Sequence, residues 1–197
     1  MKKSLVMASL IMASTSSMMA MDLQYFLGAG ANRVDNDSKT TVNVPSVGIS
    51  DSSSDSFKDT GLALKTGVIL DKKHRVSIAY SDYSKNDIDA TTITGNYDYL
   101  IPMNNEFRLY TGVHLGDTTM KMNDVDLGSI KASGLVYGAQ VGAIYDITKN
   151  IEFELGLAYS KYNVDKSFSG TISGVDYNGK IELEDSTSMF AGINYKF

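Results

Sequence analysis

Apolar and polar residues alternate with period two over most of this chain, and the alternation comes in eight blocks. They run over about 22–33, 60–70, 75–83, 92–101, 106–116, 133–145, 151–162 and 186–197. Period two marks a β-strand with two unlike faces. The last block is the clearest. Met189, Ala191, Ile193, Tyr195 and Phe197 alternate with Phe190, Gly192, Asn194 and Lys196. Terminal residues usually fray, so a terminal strand ending on an aromatic suggests one that must close a sheet. Each block is near the roughly 9–11 residues that a tilted strand needs to cross a bilayer.

Sorting by parity separates the faces. One face holds, for example, Leu27, Leu64, Ile78, Tyr97, Val113, Val141, Leu157 and Ile193, and carries no charge across the span expected to lie in lipid. Asp82 and Lys161 share its parity but lie beyond Tyr80 and Tyr159, where lipid headgroups are expected. The other face mixes Lys65, Asn96, Asp98, Arg108, His114, Gln140, Glu152, Glu154, Asn194 and Lys196 with glycines such as Gly28, Gly112, Gly138, Gly142 and Gly156. A soluble barrel would turn the apolar face inward, where its Tyr, Phe and Leu would crowd. A membrane barrel turns it outward, and the glycines then make room in a narrow bore. Tyrosines gather near the strand ends, with Tyr25, Tyr97, Tyr99, Tyr145 and Tyr195 at one end and Tyr80, Tyr137 and Tyr159 at the other. Such girdles belong to membrane interfaces. The pattern predicts an all-β, eight-stranded antiparallel up-and-down transmembrane β-barrel.

The connections alternate too. Those at 71–74, 102–105 and 146–150 are tight, and the rest are long. Short turns face the periplasm and long loops face out, so both termini are expected in the periplasm. Pro45-Ser46, Asn123-Asp124 and Asn178-Gly179 are the expected apices of hairpins prolonged above the membrane, and the Asp/Ser run over 51–56 is expected to be mobile.

Residues 1–20 read as a signal peptide: Lys2 and Lys3, an apolar run over 5–13, then small residues. Cleavage is expected after Ala20, with Ser17 as the alternative, leaving 21–197 as the barrel. Losing the two lysines moves the net charge from −5 to −7. That acidity disfavours nucleic acid as a partner. The chain has no Cys, which excludes a lipoprotein anchor, a disulfide framework and a thiolate zinc site. No cofactor or metal motif is present.

Together these features resemble the eight-stranded outer-membrane barrels of the OmpA transmembrane-domain and opacity-protein type, across the whole of 21–197. The resemblance implies residence in a bacterial outer membrane and contact with its lipid and lipopolysaccharide. Ile193, Tyr195 and Phe197 are similar to the signal that the barrel-assembly machinery reads in such proteins. OmpA continues into a peptidoglycan-binding domain where this sequence ends, so cell-wall anchoring is not expected.

The candidate site is lumenal. Glu152 and Lys196 should be neighbours, Asp98 and Arg108 should pair likewise, and Lys65 and Glu154 lie nearer mid-bore. Buried charges need partners, so the set is either structural or, as the resemblance implies, a gate. His74 is expected solvated in a turn and His114 in the lumen. A lipid A deacylase type of barrel needs a Ser two residues from its His, and here that position is Gly116. A palmitoyltransferase type would want an N-terminal amphipathic helix, which the sequence lacks. No catalytic residue is therefore assigned. The acidic loops read as a solvated face, or as a surface for divalent cations bridging to lipopolysaccharide or for a basic partner. The function expected is non-enzymatic: four extracellular loops displayed for envelope integrity, adhesion or host contact. The alternative is a narrow gated pore for ions or small solutes.

Overall fold

The computed structural model describes residues 22–85, 88–124, 128–172 and 175–197, so residues 1–20, expected to be a signal peptide, lie outside the described residues. Eight strands follow in order: β1 (Leu23–Val44), β2 (Ile49–Leu70), β3 (His74–Lys85), β4 (Ile88–Pro102), β5 (Phe107–Asp124), β6 (Gly128–Asp146), β7 (Ile151–Ile172) and β8 (Val175–Lys196). Each pairs antiparallel with its chain neighbour, and β8 pairs with β1 to close the barrel. The closing strand is held to its end, where the Phe197 amide donates to the Tyr25 carbonyl at 2.9 Å. Among the described residues no helix is long and apolar enough to cross a membrane.

The register sets the barrel's shape. Starting at Phe26, the ring of partners runs through Gly67, Ser77, Asn96, His114, Gly138, Ser160 and Ser186. It re-enters β1 at Asn36, ten residues above its start. Eight strands with that stagger tilt by about 40° from the axis and enclose a bore that side chains fill.

The two faces follow parity. Leu27, Leu62, Ile93, Val113, Leu157 and Ile193 stand exposed outside, while Phe26, Ile69, Leu100 and Ile144 are buried inside. The outer belt runs from Tyr25, Tyr99, Tyr145 and Tyr195 up to Tyr80, Tyr137 and Tyr159, and all seven are exposed. A continuous apolar surface of this extent in water would drive aggregation, and a bilayer covers it. Arg33, Asp82, Asp117 and Lys161 project from just above it.

Above the belt the strands continue further than the sequence pattern predicts. β1 stays paired to β2 as far as Val44 opposite Ile49, and to β8 as far as Asn43 opposite Asn178. Pairing of β2 with β3 ends at Leu62–Asp82, and of β6 with β7 at Leu135–Asn163. The result is a four-stranded wall, ordered β2–β1–β8–β7, on one side of the mouth. Register shifts at Asp37/Ser38 and Lys161/Val164 mark where it leaves the barrel.

Three loop expectations change accordingly. Residues 51–56, expected mobile, pair with β1 inside β2. Asn178 and Gly179 lie inside β8, opposite Ser169 and Phe168, because the paired strand runs on to Ile172–Val175. Asn123 and Asp124 pair with Ser129 and Gly128, so both lie within a paired strand and not at an apex, and residues 125–127 lie outside the described residues. Pro45-Ser46 does form an apex: Pro45–Val47 is a 3-10 turn closed by Gly48 at φ 66°, a left-handed conformation that glycine adopts without strain.

Candidate functional site: the ionic floor and polar chamber of the bore

The lower bore is packed with charge. Arg75 sits one residue into β3 on the lumenal parity. Its Nε donates to Asp98 Oδ2 at 2.9 Å and its Nη2 to Glu154 Oε1 at 2.7 Å. Lys65 Nζ donates to the same Glu154 oxygen at 2.9 Å. Asn194 Nδ2 bridges the two glutamates, reaching Glu154 Oε2 at 2.9 Å and Glu152 Oε1 at 3.0 Å. On the far side Arg108 Nη2 donates to Glu152 Oε2 at 2.6 Å and Asp146 Oδ1 at 2.9 Å. Lys196 Nζ donates to Asp146 and lies 3.5 Å from Glu152 Oε2. Gln140 donates to Asp98.

Four cations thus face four carboxylates in one connected set. The side chains of Arg75, Asp98, Glu152 and Glu154 are each 0% exposed. Charges so buried persist only when paired and hydrogen-bonded. Aromatic faces add to the cations' environment: the Arg75 guanidinium lies 4.6 Å from the Tyr110 ring centroid and Lys65 Nζ 4.7 Å from that of Phe190. Phe26, Ile69, Leu100, Tyr110 and Ile144 pack as an apolar cluster between the charges. The glycines make this possible, since a methyl at Gly156 would overlap Tyr110 and one at Gly28 would overlap Asn194.

Lys65, Asp98, Arg108, Glu152, Glu154 and Lys196 all enter this set. Asp98 and Arg108 do not pair with each other, contrary to the sequence expectation. The register puts Arg108 opposite Pro102, four residues below Asp98, so Arg108 reaches Asp146 and Glu152 while Asp98 takes Arg75. Sequence reasoning missed Arg75, Asp146 and Asn194 as members. Parity carried the signal for Arg75 and Asp146, which share the lumenal face with Ser77 and Ile144. Of the C-terminal residues, Ile193, Tyr195 and Phe197 project outward, and the Tyr195 and Phe197 rings meet edge to face at 5.1 Å. His74 opens β3 beside the turn, partly exposed to solvent, with its Nδ1 2.8 Å from Tyr97 Oη and its ring stacked on Tyr97 in the lower tyrosine girdle.

Above the floor lies a cavity of about 100 Å³, lined by Asn32, Asn96, His114, Gln140, Ser160 and the rings of Tyr110 and Phe190 among others. Tyr83 and Tyr162 reach in from higher up, bonded to Asn32 Nδ2 at 2.5 Å and Ser186 Oγ at 3.2 Å. Burial pushes both phenols above their ordinary range, so both stay neutral. His114 Nε2 lies 3.0 Å from Ser160 Oγ, a neighbour that the two-residue spacing test could not find because it comes from β7. His114 Nδ1 has no protein partner. A nucleophile's base needs a third group to orient it, and among the described residues none bonds His114 Nδ1.

No protein-family model matches the sequence, and no curated protein does. Solved structures do match in fold. The outer membrane protein OprG from Pseudomonas aeruginosa is 17% identical with a TM-score of 0.61, over 88% of this chain and 95% of that one. Neisserial surface protein A is 17% identical with a TM-score of 0.58, over 88% of this chain and 97% of that one. The outer membrane protein AlkL, solved in lipid bilayers, is 18% identical with a TM-score of 0.53, over 85% and 90%. At these identities the likeness establishes the fold, that of the eight-stranded outer-membrane barrels.

Proposed function

We propose that this protein is an integral protein of a bacterial outer membrane, with both termini in the periplasm and a non-enzymatic role at the cell surface. The supporting observation is the asymmetry of the barrel: an uncharged belt of membrane height, short turns at one end, and at the other a wall of paired strands standing well clear of the belt. So much ordered sheet beyond the bilayer is costly in conformational entropy and serves no purpose in spanning it. Its use is to present a rigid surface for envelope contacts, adhesion or host contact. Lipopolysaccharide and the barrel-assembly machinery are the partners implied, the second through Ile193, Tyr195 and Phe197. The lumen charges act as a structural floor. Opening a path through it would break several buried pairs together, each costing about 3–5 kcal/mol, which argues against the gated pore. The test is a binding screen of the refolded barrel against host-surface and envelope components, repeated with β1–β2 and β7–β8 trimmed to the belt. Binding lost on trimming is expected. Binding or adhesion unchanged by trimming would remove the wall as the ligand-bearing surface.

A further inference from the structure

We propose that Glu154 selects the register in which the barrel closes, because Lys65 and Arg75 grip it from across the β1–β8 seam. That seam is the one pairing whose two strands no connection joins, so no turn fixes its register. Its local sequence does little to fix it either. Gly28, Ala29, Gly30 and Ala31 face Asn194, Ile193, Gly192 and Ala191, and a slip of two residues keeps each side chain on its own face. Moving β8 two residues towards the periplasm would set Asn194 against Phe26, whose side chain is already buried there. Moving it two residues outward sets Asn194 against Gly30 instead of Gly28, and Gly30 has no side chain to resist it. Shape therefore leaves the outward slip open, and charge closes it. Lys65 on β2 and Arg75 on β3 donate to Glu154 Oε1 on β7 at 2.9 and 2.7 Å. Both bonds cross the seam, as does the approach of Lys65 Nζ to the Phe190 ring on β8 at 4.7 Å. An outward slip carries β7 along, bound to β8 by a ladder that runs to Ile172–Val175. Glu154 then rises about 7 Å past both cations and keeps only Asn194, while Glu152 takes its place beneath them. The Glu154 side chain is 0% exposed, so the slipped barrel would hold a buried carboxylate without a cation. Buried polar groups fix register in the same way in coiled coils. Stagger sets strand tilt and bore width, so a larger stagger would widen the ring that the side chains now fill. The lock stands whether or not the wall binds a partner.

Disulfide trapping on the refolded full barrel in micelles tests it, since the chain has no Cys of its own. Ala29→Cys with Ile193→Cys reports the register described, and Ala29→Cys with Tyr195→Cys reports the outward slip. Directly opposed Cα atoms lie about 4.5–5.5 Å apart and can bridge, whereas positions two residues off lie at about 7–8 Å and cannot. Wild type is expected to bridge through the first pair alone. Glu154→Gln removes the charge that the slip would strand, and should raise bridging of the second pair at least about tenfold. Asp146→Asn is the control. It removes a floor carboxylate whose partners, Arg108 and Lys196, lie on its own side of the seam, and should leave the second pair at the wild-type level. Gel mobility before and after heating reports whether each variant folds. Lys65→Gln, which loosens the grip while Arg75 stays, is the reserve with the same expectation should Glu154→Gln fail to fold. Second-pair bridging in folded Glu154→Gln no greater than in Asp146→Asn, whether both stay low or both rise, would overturn the proposal. So would wild-type bridging through both pairs alike.

Discussion

Replacing Arg75 by Met probes the ionic floor at its most enclosed point. The guanidinium and its partners Asp98 and Glu154 are all 0% exposed. Glu154 keeps Lys65 and Asn194 when Arg75 goes, but Asp98 is left with Gln140 alone. An unpaired buried carboxylate is the costly species, and breaking such a pair costs about 3–5 kcal/mol. Arg75→Met should therefore lower the free energy of unfolding by about that amount, read from reversible urea titration in lipid vesicles. Adding Asp98→Asn removes the stranded charge while keeping the amide contact to Gln140, and the double variant should recover more than half of the loss. The control is Lys58→Ala. Lys58 pairs with Asp35 at 2.9 Å on the surface, with side chains 60% and 43% exposed, and a pair so exposed is worth at most about 1 kcal/mol. The reasoning fails if Arg75→Met costs no more than Lys58→Ala. It also fails if the two lumenal changes simply add.

Leu155→Arg places a charge in the lipid-facing belt and should destabilise the folded barrel by about 2–4 kcal/mol in the same titration, with no loss meaning that this face does not meet lipid. An epitope inserted at Ser46 should be reached by antibody on intact cells and one at Asn104 should not; the reverse pattern would invert the topology. Phe197→Ala should reduce assembly in cells while leaving refolding of purified protein into micelles nearly unchanged. Equal loss in both would make Phe197 a stability residue rather than an assembly signal.

The belt was legible because lipid imposes one rule on every strand, so parity alone recovers Leu27, Leu64, Val113 and Leu157 on one side and Lys65, Glu152 and Glu154 on the other. The wall was not, because above the belt both faces meet water and nothing keeps the outward positions apolar. Ser52, Ser53 and Ser54 pair with β1 all the same, held by a register fixed lower down. The local Asn178-Gly179 turn signal lost to that same long-range register. Pairing inside the bore was the hardest to read. Neighbouring strands suggested Asp98 with Arg108, but a ten-residue stagger and long arginine arms bring Asp98 to Arg75 and Arg108 to Glu152. His114 and Ser160 meet across β6, at positions 46 residues apart in the chain.

Single-channel recording on refolded protein in planar bilayers tests the sealed, surface-presenting barrel most directly. With four lumenal cations matched to four carboxylates, the wild-type barrel should show no sustained openings, whereas a variant trimmed of Arg75 and Asp98 side chains should conduct more often. Reproducible wild-type openings that respond to charge changes at Lys65, Glu152 or Glu154 would contradict the account and establish the bore as a gated pore.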